Sequence, residues 1–259
     1  MDGTLLDDNK SLPSDFFEVV SELQQNDILF CVASGRQYYT LLEEFVEIKD
    51  SIVFCAENGT YVVYKNDLIH LNTMSKPDAL QLIETGREID GAFLVLCCKN
   101  GAYVENANTA FLKEVRKYYK RLEIVDDITK VDDEILKVTL CDFNNAEKNS
   151  YTHFKKFEKD FKVAISGKIW LDITNADANK GIAIKKLQKD FNISSEETLV
   201  FGDFLNDIEM MRTAKFSYAM KNSHPEIIEA ANFITAFDNN HGGVTKTIKA
   251  LGLTKKQKV

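Results

Sequence analysis

The chain has 259 residues, of which 44% are hydrophobic, 28% charged and three proline; this excludes a disordered or low-complexity polypeptide and allows one large or two modest domains. A formal charge of −8 without a large basic cluster argues against nucleic acid or an anionic membrane surface as partner. No apolar run approaches the roughly 18 residues that a membrane helix requires, and no signal peptide is recognisable, so a cytoplasmic location is expected.

The first helical pattern covers residues 14–25. A buried strand follows at 28–33 and ends at Ser34-Gly35-Arg36. Another covers 51–56 and ends at Glu57-Asn58-Gly59. The rhythm then changes. A helix is predicted over 76–89, a strand pair over 92–98 and 102–105 around Lys99-Asn100-Gly101, a helix over 109–121 and a strand over 135–142. A helix over 147–160 and a strand pair within 163–173, around Ser166-Gly167-Lys168, complete this part. Beyond it come a helix at 180–191, a strand at 198–201 ending at Gly202-Asp203, a helix at 205–213, and short strands at 216–220 and 233–235. The alternation predicts an α/β core with a parallel sheet, formed by residues 1–74 and 178–259. The two helix-plus-hairpin halves predict an α+β domain inserted at 75–177. The five cysteines, Cys31, Cys55, Cys97, Cys98 and Cys141, lie in apolar, strand-like runs and read as free buried thiols of a reducing compartment. The basic run Lys255-Lys256-Gln257-Lys258 reads as a solvated tail, and oligomeric state is not indicated.

Ligands of open parallel sheets bind beyond the carboxyl ends of the strands, where four polar segments fall. Asp203 ends a strand and Asp207 opens a helix four residues later. Such a pair suits a hard divalent cation such as magnesium, or it serves as helix-start acids. Gly202 admits a close backbone approach. Ser34 and Gly35 offer a hydroxyl and an N–H to a phosphate oxygen, although Ser-Gly is also ordinary turn chemistry. Lys180 is either a point charge for phosphate or a solvated helix-start lysine. Met1-Asp2-Gly3-Thr4 alone could be a simple turn.

In combination and in this order, the segments resemble the haloacid dehalogenase superfamily of phosphatases, and within it the Cof-type branch with a large α+β cap. That family carries Asp-x-Asp-Gly-Thr-Leu-Leu, Ser/Thr-Gly-Arg, a Lys-Gly pair and Gly-Asp-x-x-Asn-Asp. The last three stand here as Ser34-Gly35-Arg36, Lys180-Gly181 and Gly202 to Asp207. Glu57-Asn58-Gly59, Trp170-Leu171-Asp172-Ile173 and Ala219-Met220-Lys221-Asn222 also match. The resemblance implies a Rossmann-like core, a magnesium cofactor and a small phosphorylated metabolite as substrate, hydrolysed through an aspartyl-phosphate. It implies Asp2 as general acid/base and carbonyl metal ligand, Asp203 as direct metal ligand and Asp207 as holder of a metal-bound water. Ser34, Gly35, Lys180 and Asn206 would hold the phosphoryl oxygens. Arg36, Asn58, Trp170 and Asp172 are candidates for substrate contact, the last two within the specificity-setting cap.

The attacking aspartate of the first motif should immediately precede Met1. Asp7 and Asp8 follow the Gly-Thr turn and cannot replace it. Either Met1 is the internal methionine of an Asp-Met-Asp-Gly-Thr motif in a longer polypeptide, or the chain starts here and binds magnesium and phosphate without catalysis. A core lacking a central parallel strand would expose two edges and forfeit apolar burial, which favours the first.

Overall fold

The computed structural model describes residues 1–255, so Lys256, Gln257 and Lys258 of the C-terminal basic run lie outside the described residues. In chain order the elements are α1 (Phe16–Gln25), β1 (Cys31–Ala33), α2 (Tyr38–Glu44), β2 (Val53–Ala56), β3 (Tyr61–Tyr64), β4 (Asp67–Leu71), α3 (Lys76–Arg87), β5 (Ala92–Cys98), β6 (Ala102–Val104), α4 (Thr109–Val115) and β7 (Leu122–Ile124). There follow β8 (Ile135–Asp142), α5 (Ser150–Phe154), β9 (Phe161–Gly167), β10 (Trp170–Asn175), α6 (Lys180–Asp190), β11 (Leu199–Gly202), α7 (Ile208–Met211), β12 (Phe216–Ala219), α8 (Pro225–Ala230), β13 (Phe233–Ile234) and α9 (Gly243–Ala250). The chain divides into two compact units, Met1–Gly35 with Glu47–His70 and Asn179–Val259, and Arg36–Val46 with Leu71–Ala178.

The first unit carries two separate sheets, ordered β1-β2-β3-β4 and β11-β12-β13. β1 and β2 are parallel, as are β11, β12 and β13, and all four residues of β2 are buried. One apolar cluster joins both sheets, bringing Val53 and Val62 together with Val200 and Ala219 beneath Ile184 and Leu187 of α6 and Met210 and Met211 of α7. The predicted strand over 28–33 is shorter in the structure, with its ladder register at Cys31–Ala33, and β1 has one ladder neighbour among the described residues. The β3–β4 pair, absent from the sequence reading, turns at Lys65-Asn66, both of positive φ (51° and 68°), the geometry a two-residue hairpin demands.

The second unit is one six-stranded sheet, ordered β7-β6-β5-β8-β10-β9. One face buries Leu82, Ile83, Leu140, Phe154 and Leu171; the other buries Val95, Phe111, Val115 and Cys141. The helix predicted over 109–121 stops at Val115. The Gln37 side-chain amide donates to the Arg121 carbonyl and accepts from its N–H (3.0 and 3.1 Å), fixing that backbone in extended form ahead of β7. The helix predicted over 147–160 contracts to α5 and a 3₁₀ turn. The Asp142 carboxylate accepts from the Ser150 N–H (2.9 Å) and so sets where the helix begins. The helix predicted over 205–213 is likewise a 3₁₀ turn followed by the four-residue α7.

All five cysteines are thiols, and all but Cys31 are buried. Burial raises the thiols of Cys55 and Cys141 to about 12 and that of Cys31 well above its ordinary value. At pH 8 the Cys55 and Cys141 thiolate populations should be roughly a thousandfold below that of an ordinary thiol. Iodoacetamide should therefore label the folded protein at least ~100-fold more slowly than the urea-unfolded chain. Equal rates in the two states would contradict the burial described.

Candidate active site

Within the first unit, the ends of β1, β2 and β11 deliver their polar residues to one place, beside the turn that opens the chain. That turn closes on the Met1 carbonyl, which accepts from the N–H groups of Leu5 and Leu6 at 2.9 and 3.0 Å. Gly3 has φ +68°, and a Cβ there would lie 2.3 Å from Asp203 Oδ2, so a side chain would strain the backbone and displace that carboxylate. Thr4 Oγ1 donates to Asp203 Oδ1 at 2.5 Å, and Asn222 Nδ2 donates to the Gly3 carbonyl at 2.8 Å. The first and fourth segments, with the Met220-Lys221-Asn222 loop, thus form a single contact network.

Lys180 and Asp207 form its buried centre. Their side chains are each only 3% exposed, and Lys180 Nζ donates to Asp207 Oδ1 at 2.7 Å. The other oxygen, Asp207 Oδ2, accepts from the Asp203 N–H at 3.1 Å. Burial alone would push the Asp207 carboxyl up; Lys180 beside it overrides this and holds it below the usual carboxylate range. Burial pushes the Asp203 carboxyl upward, against the hydrogen bond from Thr4. A desolvated carboxylate of this kind favours a cation at its side. No group of three or more His, Cys, Asp or Glu side chains suited to a metal exists among the described residues. Magnesium, which keeps several waters, needs only one or two carboxylates together with substrate phosphate, so Asp203 and Asp207 fit it.

Ser34 is buried, and its carbonyl accepts from the Asn58 N–H at 2.9 Å. Glu57 and Asn58 adopt positive φ (49° and 57°), which turns Asn58 back over Gly35. A Cβ on Gly35 would lie 3.0 Å from Asn58 Oδ1, and that same oxygen accepts from Asn206 Nδ2 at 3.0 Å. Of the residues singled out from sequence, Ser34, Gly35, Asn58, Lys180, Asp203, Asn206 and Asp207 are linked here. Asp2 lies on the same turn, with its carboxylate 2.9 Å from Lys10 Nζ in a half-exposed ion pair.

The remaining candidates lie in the second unit. Arg36 pairs with Glu44 at 2.9 Å. The Trp170 ring meets Tyr118 edge-on, with centroids 5.3 Å apart. Asp172 accepts from Thr139 Oγ1 at 2.7 Å and lies 3.7 Å from the buried Lys137 ammonium. The sequence reading missed Lys137, although a lysine inside the apolar run Ile135 to Leu140 was a visible signal. It also assigned no partner to Thr4 or Asn222, whose contacts join residues 199 and 219 positions apart.

The family model described as haloacid dehalogenase-like hydrolase matches residues 1–248. The chain belongs to this family. It is 34% identical to 5-amino-6-(5-phospho-D-ribitylamino)uracil phosphatase YbjI of Escherichia coli K12, over 96% of this chain and 92% of that protein. It is 24% identical to the Bacillus subtilis phosphatase of the same description, YcsE, over 96% and 92% of the two chains. The crystal structure of SMU.1108c from Streptococcus mutans UA159 superposes with a TM-score of 0.86 at 28% identity, covering 97% and 96% of the chains. The family and its named relatives make this chain an enzyme of the phosphatase type, on a haloacid dehalogenase-like α/β fold.

Two substitutions test the network. Lys180→Ala leaves Asp207 buried without its cation and should cost about 3–5 kcal/mol in urea unfolding, part of which Asp207→Ala should restore in the double variant. Strict additivity of the two changes would contradict the pair's role. Gly3→Ala should lower stability by roughly 1–3 kcal/mol, since strained backbone and the Asp203 carboxylate both oppose a side chain there; an unchanged urea midpoint would rule that out.

Proposed function

We propose that the protein hydrolyses a small phosphate monoester, a sugar phosphate or a phosphorylated ribityl compound of the kind named for YbjI, in a magnesium-dependent reaction. The observation that carries this reading is the convergence of Ser34, Gly35, Asn58, Lys180, Asp203, Asn206 and Asp207 through direct hydrogen bonds and close approaches. In this reading Lys180, Asn206, Ser34 and the Gly35 N–H hold the three equatorial phosphoryl oxygens, where positioning and charge neutralisation supply most of the catalysis. Asp203 and the Asp2 carbonyl would be the groups that hold magnesium. Asp207, with Lys180 on one carboxylate oxygen and the Asp203 N–H on the other, would hold a water belonging to the cation. The cation, when bound, neutralises phosphoryl charge next to these residues. Released from Lys10 and protonated from solvent, the Asp2 carboxyl gives its proton to the departing oxygen and, as the resulting carboxylate, takes a proton from the attacking water.

Attack on phosphorus requires a further carboxylate. In this reading Asp2 serves as acid and base, and Asp203 and Asp207 are engaged by Thr4 and Lys180. We assign the attack to an aspartate immediately upstream of Met1, which forms and then releases an aspartyl-phosphate. A chain starting at Met1 would keep the phosphate and magnesium site and lack turnover, which is the second reading. Reduced, buried thiols support a cytoplasmic setting.

The assay is phosphate release from p-nitrophenyl phosphate with and without magnesium, by the chain from Met1 and by a form extended upstream with Asp before Met1. Turnover is expected only in the extended form with magnesium, and Asp203→Asn should reduce its kcat by at least ~100-fold. Undiminished turnover by Asp203→Asn would refute the metal assignment.

A further inference from the structure

In the first unit, β12 and β13 each hand over to a loop that reaches the Gly3–Leu6 turn, residues 220–222 and 235–242. The two loops are tied together before they reach it. Thr235 is buried; its N–H donates to the Ala219 carbonyl at 2.9 Å, and its hydroxyl accepts from the Lys221 N–H at 3.0 Å. The longer loop is also closed on itself. The Asp238 carboxylate accepts from the His241 N–H at 3.0 Å, and Gly242, at φ +67°, turns the chain into α9.

At the centre of that loop stands Asn239, a polar residue only 4% exposed. Its amide Nδ2 donates to the Leu6 carbonyl at 3.1 Å and to Asp8 Oδ1 at 3.0 Å. Its backbone N–H donates to Asn222 Oδ1 at 3.1 Å, and Asn222 Nδ2 donates in turn to the Gly3 carbonyl. Asn240 completes the grip: its Nδ2 donates to Asp8 Oδ2 and its Oδ1 accepts from the Asp8 N–H, both at 3.0 Å. These two amides hold the Asp8 carboxyl below the usual carboxylate range. Gly3 and Leu6 are thus held from 219 and 233 positions away.

We propose that Asn239 is a positioning residue for the site: through Leu6, Asp8 and Asn222 it fixes the turn that carries Asp2, Gly3 and Thr4, and so the fit of that turn against Asp203. The bonds from the Leu5 and Leu6 N–H groups to the Met1 carbonyl close the turn locally and leave its direction open. The Asn239 contacts supply the direction. They are buried, so their loss would orphan the Leu6 carbonyl instead of exchanging it for water. Asp8 lies near the site and is exposed, yet each of its oxygens is taken by an amide; it anchors the brace and does not act as an acid or base. The inference rests on the reading above in one respect: the turn being positioned is the one that reading assigns to magnesium and the phosphoryl group.

A double-mutant cycle tests this. Asn239→Asp keeps the shape of the side chain, removes both donations and sets a carboxylate against the Leu6 carbonyl and Asp8. Asp8→Asn in the same chain restores one contact with the roles reversed, since the amide introduced at position 8 can donate to the carboxylate at position 239 and still accept from Asn240 Nδ2. Two quantities are read, with the fold of each variant checked by its urea midpoint: hydrogen exchange at the Leu5 and Leu6 amides, and the factor by which magnesium tightens inorganic phosphate in calorimetric titration. Asn239→Asp should speed exchange at both amides about tenfold or more and cut the magnesium factor from about tenfold to below about threefold; the double variant should recover part of both. Unchanged exchange in Asn239→Asp, or lower stability with the magnesium factor intact, would overturn the proposal. A double variant as impaired as Asn239→Asp alone would do the same. If Asn239→Asp fails to fold, Asp8→Asn alone tests the brace at an exposed side chain: exchange at Leu6 should quicken about threefold, and no change there would overturn the proposal. Absence of phosphate binding by the unsubstituted chain would count against the proposed site alone, and faster Leu5 and Leu6 exchange in Asn239→Asp would still uphold the brace.

Discussion

The buried ion pair between Lys180 and Asp207 is the constraint around which the first unit is arranged. Removing both charges from water is costly, and the cost is met only where the geometry is close and the remaining lone pairs are used. Here both conditions hold, since one Asp207 oxygen takes the lysine and the other takes the Asp203 N–H. The pair draws the start of α6 against the β11–α7 turn. Glycines permit that approach: a Cβ on Gly181 would lie 2.6 Å from the Glu209 carbonyl oxygen, and one on Gly202 would lie 2.7 Å from the Asp207 Cβ. Packing and electrostatics therefore impose the same geometry.

From that centre the site extends outward in two directions. Through the Asp203 backbone it reaches the opening turn, where Thr4 and the bare Gly3 fit against the Asp203 carboxylate. On the other side Asn206 bridges to Asn58 and so to the Ser34-Gly35 corner. A net charge of −8 would repel a phosphate ester at long range, so the proposed function needs a local source of attraction, for which the buried lysine and the desolvated Asp203 carboxylate with a cation are the candidates. The same carboxylates cannot also supply the attacking group while each is engaged in the network.

The parts of this site legible in the sequence were those carried by local chemistry. Ser34-Gly35, Asn58, Lys180 and Gly202 to Asp207 stand at strand ends or helix starts, where each alone was ambiguous, and it was their combination and order, through the resemblance to a known family, that singled them out. Contacts between distant segments were not legible. Gln37 ends the helix predicted over 109–121 by bonding to Arg121, and Asp142 sets the start of α5 from across a loop. Neither effect has a periodic signal. The β3–β4 turn at Lys65-Asn66 was readable, because asparagine readily takes positive φ, yet it lacks the glycine that usually marks such a hairpin. The grouping of Arg36–Val46 with the second unit follows from bonds such as Thr40 Oγ1 to the Tyr118 carbonyl, 78 residues away.

The central claim, that the network is a joint phosphate and cation site independent of any attacking group, is tested most directly by calorimetric titration of inorganic phosphate into the chain from Met1. The account expects magnesium to tighten phosphate binding at least tenfold, about 1.4 kcal/mol of coupling, with phosphate tightening magnesium by the same factor. Equal phosphate affinity with and without magnesium would contradict it.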